Sequence, residues 1–145
     1  MCVLQTEINK LTDRQKSDAP PVVLVADDHD DSRSMLRCLL EMWEYQVVEA
    51  RDGSEAAALA EQFCPDLILM DVRMPLLDGF DAARKIRGSA KIGATPIVFL
   101  SGCDDAIYRD AGDELAGEYE YLVKPLDFEK LKSVTGKYLP ARRDQ

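Results

Sequence analysis

Basic residues are scarce in this chain. Lys and Arg number 18 against 27 Asp and Glu, a formal net charge of -9. No basic excess exists to neutralise phosphates, which argues against nucleic acid as the main ligand. Long apolar runs are missing too. The opening stretch MCVLQTEINKLTDRQKSDAPP carries acids and never sustains hydrophobicity, so it reads as neither signal peptide nor membrane anchor, and no membrane partner is expected. The four cysteines, Cys2, Cys38, Cys64 and Cys103, form no C-x-x-C pair, so neither a zinc site nor a redox dithiol is signalled. Cys38 and Cys64 fall in apolar helical patterns and are expected to be buried free thiols, as in a reducing cytoplasm. What remains is 46% hydrophobic and 31% charged over 145 residues, the profile of one globular domain with a single core. Such an acidic balance suits a metal cation or a basic protein surface.

Residues 1–20 are polar and are expected to be a flexible tail. Leu4, Ile8 and Leu11 share one helical face, but isolated helices this short are marginal in water. From Val22 a rhythm sets in. VVLVAD is a continuous β-branched run, of the kind buried on both faces of a parallel sheet. Leu36, Leu39, Leu40 and Trp43 then recur at helical spacing. QVVEA reads as a second strand. DGSEAAALAEQF follows as a helix, with Asp52 as N-cap, Glu55 placed for a capping box and a stripe of Ala56, Leu59, Ala60 and Phe63. Pro65 ends it. DLILMD, PIVFLS and YEYLV complete the strands, and GFDAARKI, DAIYRDAGDELA and DFEKLKSVTGKYL complete the helices. In the last helix Asp127 reads as a cap, with Leu126 and Leu131 as a hydrophobic staple. The pattern predicts an α/β fold of the (βα)5 kind, a doubly wound parallel sheet with helices on both faces. The domain is expected over 21–139, with 140–145 as a C-terminal tail and no second domain.

In an open parallel sheet, ligands bind beyond the carboxyl ends of the strands. The polar residues at those ends are Asp27-Asp28, Asp71, Ser101 and Lys124-Pro125. Three clustered carboxylates repel one another, by about 4 kcal/mol for a pair 4 Å apart at an effective dielectric near 20. A divalent cation relieves that repulsion, and a hard all-oxygen site suits Mg2+ with room for phosphate oxygens. A lysine and a short hydroxyl can each meet a phosphoryl oxygen. The set is that of a carboxylate nucleophile attacking phosphorus, with metal and lysine assisting.

Asp27-Asp28, MDVRMPLLDG, FLSG and YEYLVKPL together resemble the motifs of the response-regulator receiver domain, the phosphoacceptor module of two-component signalling. The resemblance spans about residues 21–139. It implies the flavodoxin-like strand order 2-1-3-4-5. It makes Asp71 the aspartate that takes a phosphoryl group from a histidine kinase or histidine phosphotransfer protein. Asp28 would be a direct Mg2+ ligand beside Asp71, with Asp27 in support, and Arg73 would offer its backbone carbonyl. Ser101 stands at the switch hydroxyl, Lys124 at the lysine of the pattern and Tyr121 at the aromatic switch. The Lys124–Pro125 bond is often cis in this family. Helix one, with Arg33 and Arg37 outward, is the expected kinase-docking surface. The face of helix four, strand five and helix five is where an unnamed downstream protein, or a second copy forming a dimer, would be met.

Read this way, the chain is a stand-alone cytoplasmic signalling domain and not an enzyme, catalysing only its own phosphorylation and slow autodephosphorylation. A receiver-like binding module indifferent to phosphate is the alternative, and the intact quintet weighs against it. A covalent aspartyl phosphohydrolase would carry a second aspartate two residues past the nucleophile, where Arg73 stands. DNA binding would need an added helix-turn-helix. His29 reads as a solvated loop residue that tunes local charge. Cys103 has no flanking cation to activate it, and Trp43 reads as packing.

Overall fold

The computed structural model describes residues 19–102 and 119–139. The fourth predicted helix, with Cys103, Gly112 and Gly117, lies outside these residues, as do both tails beyond them. Five strands, β1 (Val22–Ala26), β2 (Gln46–Ala50), β3 (Leu67–Asp71), β4 (Ile97–Ser101) and β5 (Tyr119–Val123), pair in parallel in the order β2-β1-β3-β4-β5. The described helices are α1 (Asp30–Met42), α2 (Gly53–Phe63), α3 (Gly79–Arg87) and α4 (Phe128–Tyr138). The doubly wound sheet expected from the strand–helix rhythm is therefore present.

The apolar runs LILMD and IVFLS are buried at every position, because alternate side chains serve two different cores. Leu24, Ile68, Met70 and Phe99 meet Ala56 and Ala60 of α2 and Phe80 and Ile86 of α3. On the opposite face Val23, Val25, Leu69 and Leu100 meet Leu36 and Leu40 of α1 and Leu131 of α4. Each fully buried Leu, Ile or Val contributes about 1.5–3 kcal/mol. Leu39 and Trp43 pack half-buried against the second face, as their spacing predicts.

The helix starts follow from short acids. Asp52 accepts from Glu55 N at 2.8 Å, while Glu55 Oε1 reaches back to Arg51 N at 2.7 Å, one residue short of a closed capping box. Asp127 accepts from Glu129 N at 2.9 Å, and Leu126 packs in the same cluster as Leu131. Asp78 caps α3 by accepting from Asp81 N at 2.9 Å. Gly79 then sits where any Cβ would lie 2.3 Å from the main-chain oxygen of Asp71, so this helix packs its first residue directly on the strand end.

Four expectations need correcting. Phe63 is exposed: it is the last residue of α2, with Cys64 as the C-cap. Cys38 is a free thiol but lies on the exposed side of α1. Cys64 is half-buried and disulfide-bonded. Arg33 does not face outward. It is only 9% exposed, turned against the sheet.

Candidate functional site

The carboxyl ends of β1, β3, β4 and β5 bring the predicted polar residues together. Asp71 closes β3 and is buried. Lys124, just past β5, donates from Nζ to Asp71 Oδ2 at 3.0 Å and stands 3.9 Å from Asp27 Oδ2. Arg73 N donates to Asp71 Oδ1 at 3.3 Å. The Lys124–Pro125 bond is cis. Ser101 ends β4 and is 1% exposed. Tyr121 is half-buried in an aromatic group, its ring 5.5 Å from Phe99 and 6.4 Å from Phe80.

Beyond β1 the chain turns tightly. Asp27 is fully buried, and its Oδ1 accepts from His29 N at 2.9 Å. Asp27 Oδ2, Asp28 Oδ1 and Ser101 Oγ are buried without a hydrogen-bond partner among the described residues. Buried polar atoms are rarely left so, and two of these three are carboxylate oxygens. One ligand atom each from Asp27, Asp28, His29 and Asp71 fits within 4.8 Å. An open cleft of about 490 Å³, lined by Asp28, Val72, Arg73, Met74, Pro75 and Asp78, lies alongside. Orphaned carboxylate oxygens just past β1, beside the Asp71 carboxylate of β3, are a donor set suited to a hard divalent cation.

Two residues at this site were not assigned to it by sequence reasoning. Arg33 Nη1 donates to the main-chain oxygen of Asp27 at 2.8 Å, Nη2 to Asp30 Oδ1 at 2.6 Å and Nε to Glu49 Oε1 at 3.0 Å. Burial alone would lower its pKa, but the bonds to Asp30 and Glu49 raise it overall. Glu49 is in turn held low by the bonds from Arg37 and Arg33, despite its burial. His29 is 70% exposed, as a loop residue should be, yet its Nδ1 lies 3.3 Å from Asp28 Oδ1 and 3.5 Å from Asp27 Oδ1.

Known proteins can now be set beside this geometry. Residues 23–135 match the sequence model of the response regulator receiver domain. The chain belongs to that family. This receiver domain is 36% identical over 109 residues to PilH of Pseudomonas aeruginosa, covering 75% of the chain and 89% of PilH. It is 35% identical over 117 residues to PleD of Caulobacter vibrioides, covering 78% of the chain but only 26% of PleD. Of the probable transcriptional regulator ycf27 of Guillardia theta it spans 42%. Among solved structures it is similar to the chemotaxis protein CheY4 of Vibrio cholerae, with TM-score 0.77 and 31% identity over 83% of this chain and all of that one. The receiver domain of a Pseudomonas aeruginosa sensor histidine kinase, which holds magnesium in its active-site cleft, is 28% identical with TM-score 0.76, over 83% of this chain and 98% of that one.

The charge of this receiver domain's site has a stability consequence. Burial, and then the Asp27 carboxylate, push the Asp71 pKa above its usual 3.8, only partly offset by Lys124. Protonated Asp71 therefore favours the fold below pH 3.8, and that contribution is lost as pH rises through the higher folded value. Asparagine is neutral at every pH. Asp71→Asn should thus be more stable than the parent at pH 7 by about 1–2 kcal/mol, on the scale of replacing a buried ion pair by neutral groups. The gain should vanish below pH 3.8 in urea titrations. A loss at pH 7 would show the Lys124 bond outweighing burial.

Ser101→Ala removes a buried hydroxyl that lacks a partner among the described residues. The stability should hold or rise by up to about 1 kcal/mol. A loss larger than that, read by thermal melting, would mean the hydroxyl is bonded in the resting protein.

Proposed function

We propose that this chain is a stand-alone phosphorylation switch in which Asp71 takes a phosphoryl group from a histidine kinase or histidine phosphotransfer protein. The observation that carries the reading is the buried Asp71 carboxylate, bonded to Lys124 and facing orphaned oxygens of Asp27 and Asp28 beside an open cleft. Asp28 and Asp71, with the Arg73 carbonyl and Asp27 in support, would hold Mg2+. When bound, that ion neutralises carboxylate and phosphoryl oxygens together. Asp71 attacks phosphorus as the bond to the donor's imidazole nitrogen breaks, and the imidazole leaves with that electron pair. Lys124 is placed to pass its hydrogen bond from the carboxylate to a phosphoryl oxygen. Chemistry here is positioning and charge compensation, with no proton taken from the nucleophile.

An added phosphoryl group would also give Ser101 Oγ the partner it lacks among the described residues. Ser101 and Tyr121 lie on adjacent strands two register positions apart, since Phe99 pairs with Tyr121 and Ser101 with Val123. Movement of Ser101 toward Asp71 thus draws on the same strand pair that carries the Tyr121 ring. The switched face is the fourth predicted helix with β5 and α4, where a downstream protein or a second copy would dock. The domain runs 21–139 between flanking tails, acts in the cytoplasm, and turns over only its own phosphate.

The test is intact mass after incubation with acetyl phosphate and Mg2+. One added phosphoryl group is expected, absent in Asp71→Asn and absent without Mg2+. If neither acetyl phosphate nor the beryllofluoride mimic binds, the phosphate-insensitive module replaces this reading.

A further inference from the structure

The histidine beside the acid pair is aimed at it. His29 is the N-cap of α1, with extended backbone (φ -94, ψ 119), yet its side chain makes no capping bond. Its ring turns back toward the strand end, where Nδ1 sits 3.3 and 3.5 Å from carboxylate oxygens of Asp28 and Asp27. Neither approach is a hydrogen bond: Asp28 Oδ1 is buried without a partner among the described residues. Asp27 Oδ2 is likewise orphaned, on a side chain with no solvent exposure, and the Lys124 ammonium stops 3.9 Å short of it.

Building on the cation site proposed above, we propose that His29 Nδ1 joins Asp27, Asp28 and Asp71 as a ligand for a borderline divalent transition-metal ion. Two donors sharing one ion at 2.0–2.2 Å stand about 3.0–3.4 Å apart in octahedral or tetrahedral geometry. The His29–Asp28 separation of 3.3 Å already falls in that range, and all four donor atoms lie within 4.8 Å. Oxygen donors alone favour hard Mg2+. Adding an imidazole shifts preference toward Co2+, Ni2+ and Zn2+, for which nitrogen is a better partner. The main-chain bond from His29 N to Asp27 Oδ1 at 2.9 Å fixes the root of the side chain, while the exposed ring needs no core rearrangement to close on an ion. Such an ion competes with Mg2+ for the same carboxylates. His29 is the sole histidine of the chain, which makes the assignment simple to test.

The experiment is calorimetric titration of the full chain and of His29→Ala with Mg2+ and, separately, Co2+, with the Co2+ absorption spectrum recorded. Loss of a nitrogen ligand should weaken Co2+ by about tenfold or more, the scale on which metal-site residues act, and leave Mg2+ within about twofold. Any cysteine ligation announces itself by the intense near-ultraviolet thiolate band, which should be absent. Co2+ affinity unchanged in His29→Ala, or Co2+ and Mg2+ weakened alike, overturns the role of His29 as a ligand. Normal Mg2+ binding with that result leaves the phosphoacceptor reading standing. Failure of the parent chain to bind either ion would remove the cation site itself and both readings with it.

Discussion

Arg33→Met will cost the fold about 3 kcal/mol, as breaking a buried pair by removing one partner does. The guanidinium is 9% exposed and divides its donors among the Asp27 main-chain oxygen, Asp30 and Glu49. Methionine keeps much of the volume but offers no hydrogen. The buried Asp27 oxygen then loses its bond from Nη1, and Glu49 keeps only the Arg37 bond at 2.7 Å. The Asp30 arm matters little, since that side chain is 81% exposed and such pairs are worth about 0–1 kcal/mol. Arg33→Lys should not restore stability, because one ammonium cannot serve three separated acceptors in the planes a guanidinium fork does. Urea unfolding of both variants measures this. A cost under about 0.5 kcal/mol would class Arg33 with ordinary surface pairs.

Lys124→Met should slow phosphoryl acceptance about 10²-fold, comparable with deleting one donor that stabilises a developing anion. Its Nζ lies 3.0 Å from Asp71 Oδ2, so it is already beside the oxygen that must carry the incoming group. Mg2+ affinity should move the other way. Removing the ammonium leaves Asp71 and Asp27 with less neutralising charge, so a cation binds more tightly. Slower gain of mass together with stronger Mg2+ binding is a split that a damaged fold cannot produce. An unchanged rate, or loss of both properties, would take Lys124 out of the transfer step.

Much of this was legible because strand periodicity and strand ends are local signals. β1, β3 and β4 announce themselves as unbroken apolar runs, and the acids, hydroxyl and lysine that follow them fall on one rim by topology alone. Arg33 was misread because its charge was taken as a sign of solvent. Its spacing said otherwise: Arg33, Leu36 and Leu40 sit at i, i+3 and i+7 on one stripe, and the structure buries all three. Asp78-Gly79 is a helix cap followed by a close approach to Asp71. The direction of the His29 ring had no signal, because the neighbouring Asp27 and Asp28 do not by themselves select the rotamer that turns the ring toward them. Cys64 and Leu76 hold positive φ without being glycine, so composition gave no hint of either.

The strand order has a temporal consequence for a chain that emerges from its N-terminus. β1 and β2 can pair as soon as the first helix closes over them, but the other edge of β1 stays open until β3 arrives. Asp27 and Asp71 therefore meet only once that second pairing is made, when Val23, Leu24 and Val25 are already committed to their neighbours. The repulsion that later serves the site is deferred to a step that hydrophobic pairing drives, and it does not burden the nucleus that starts the sheet.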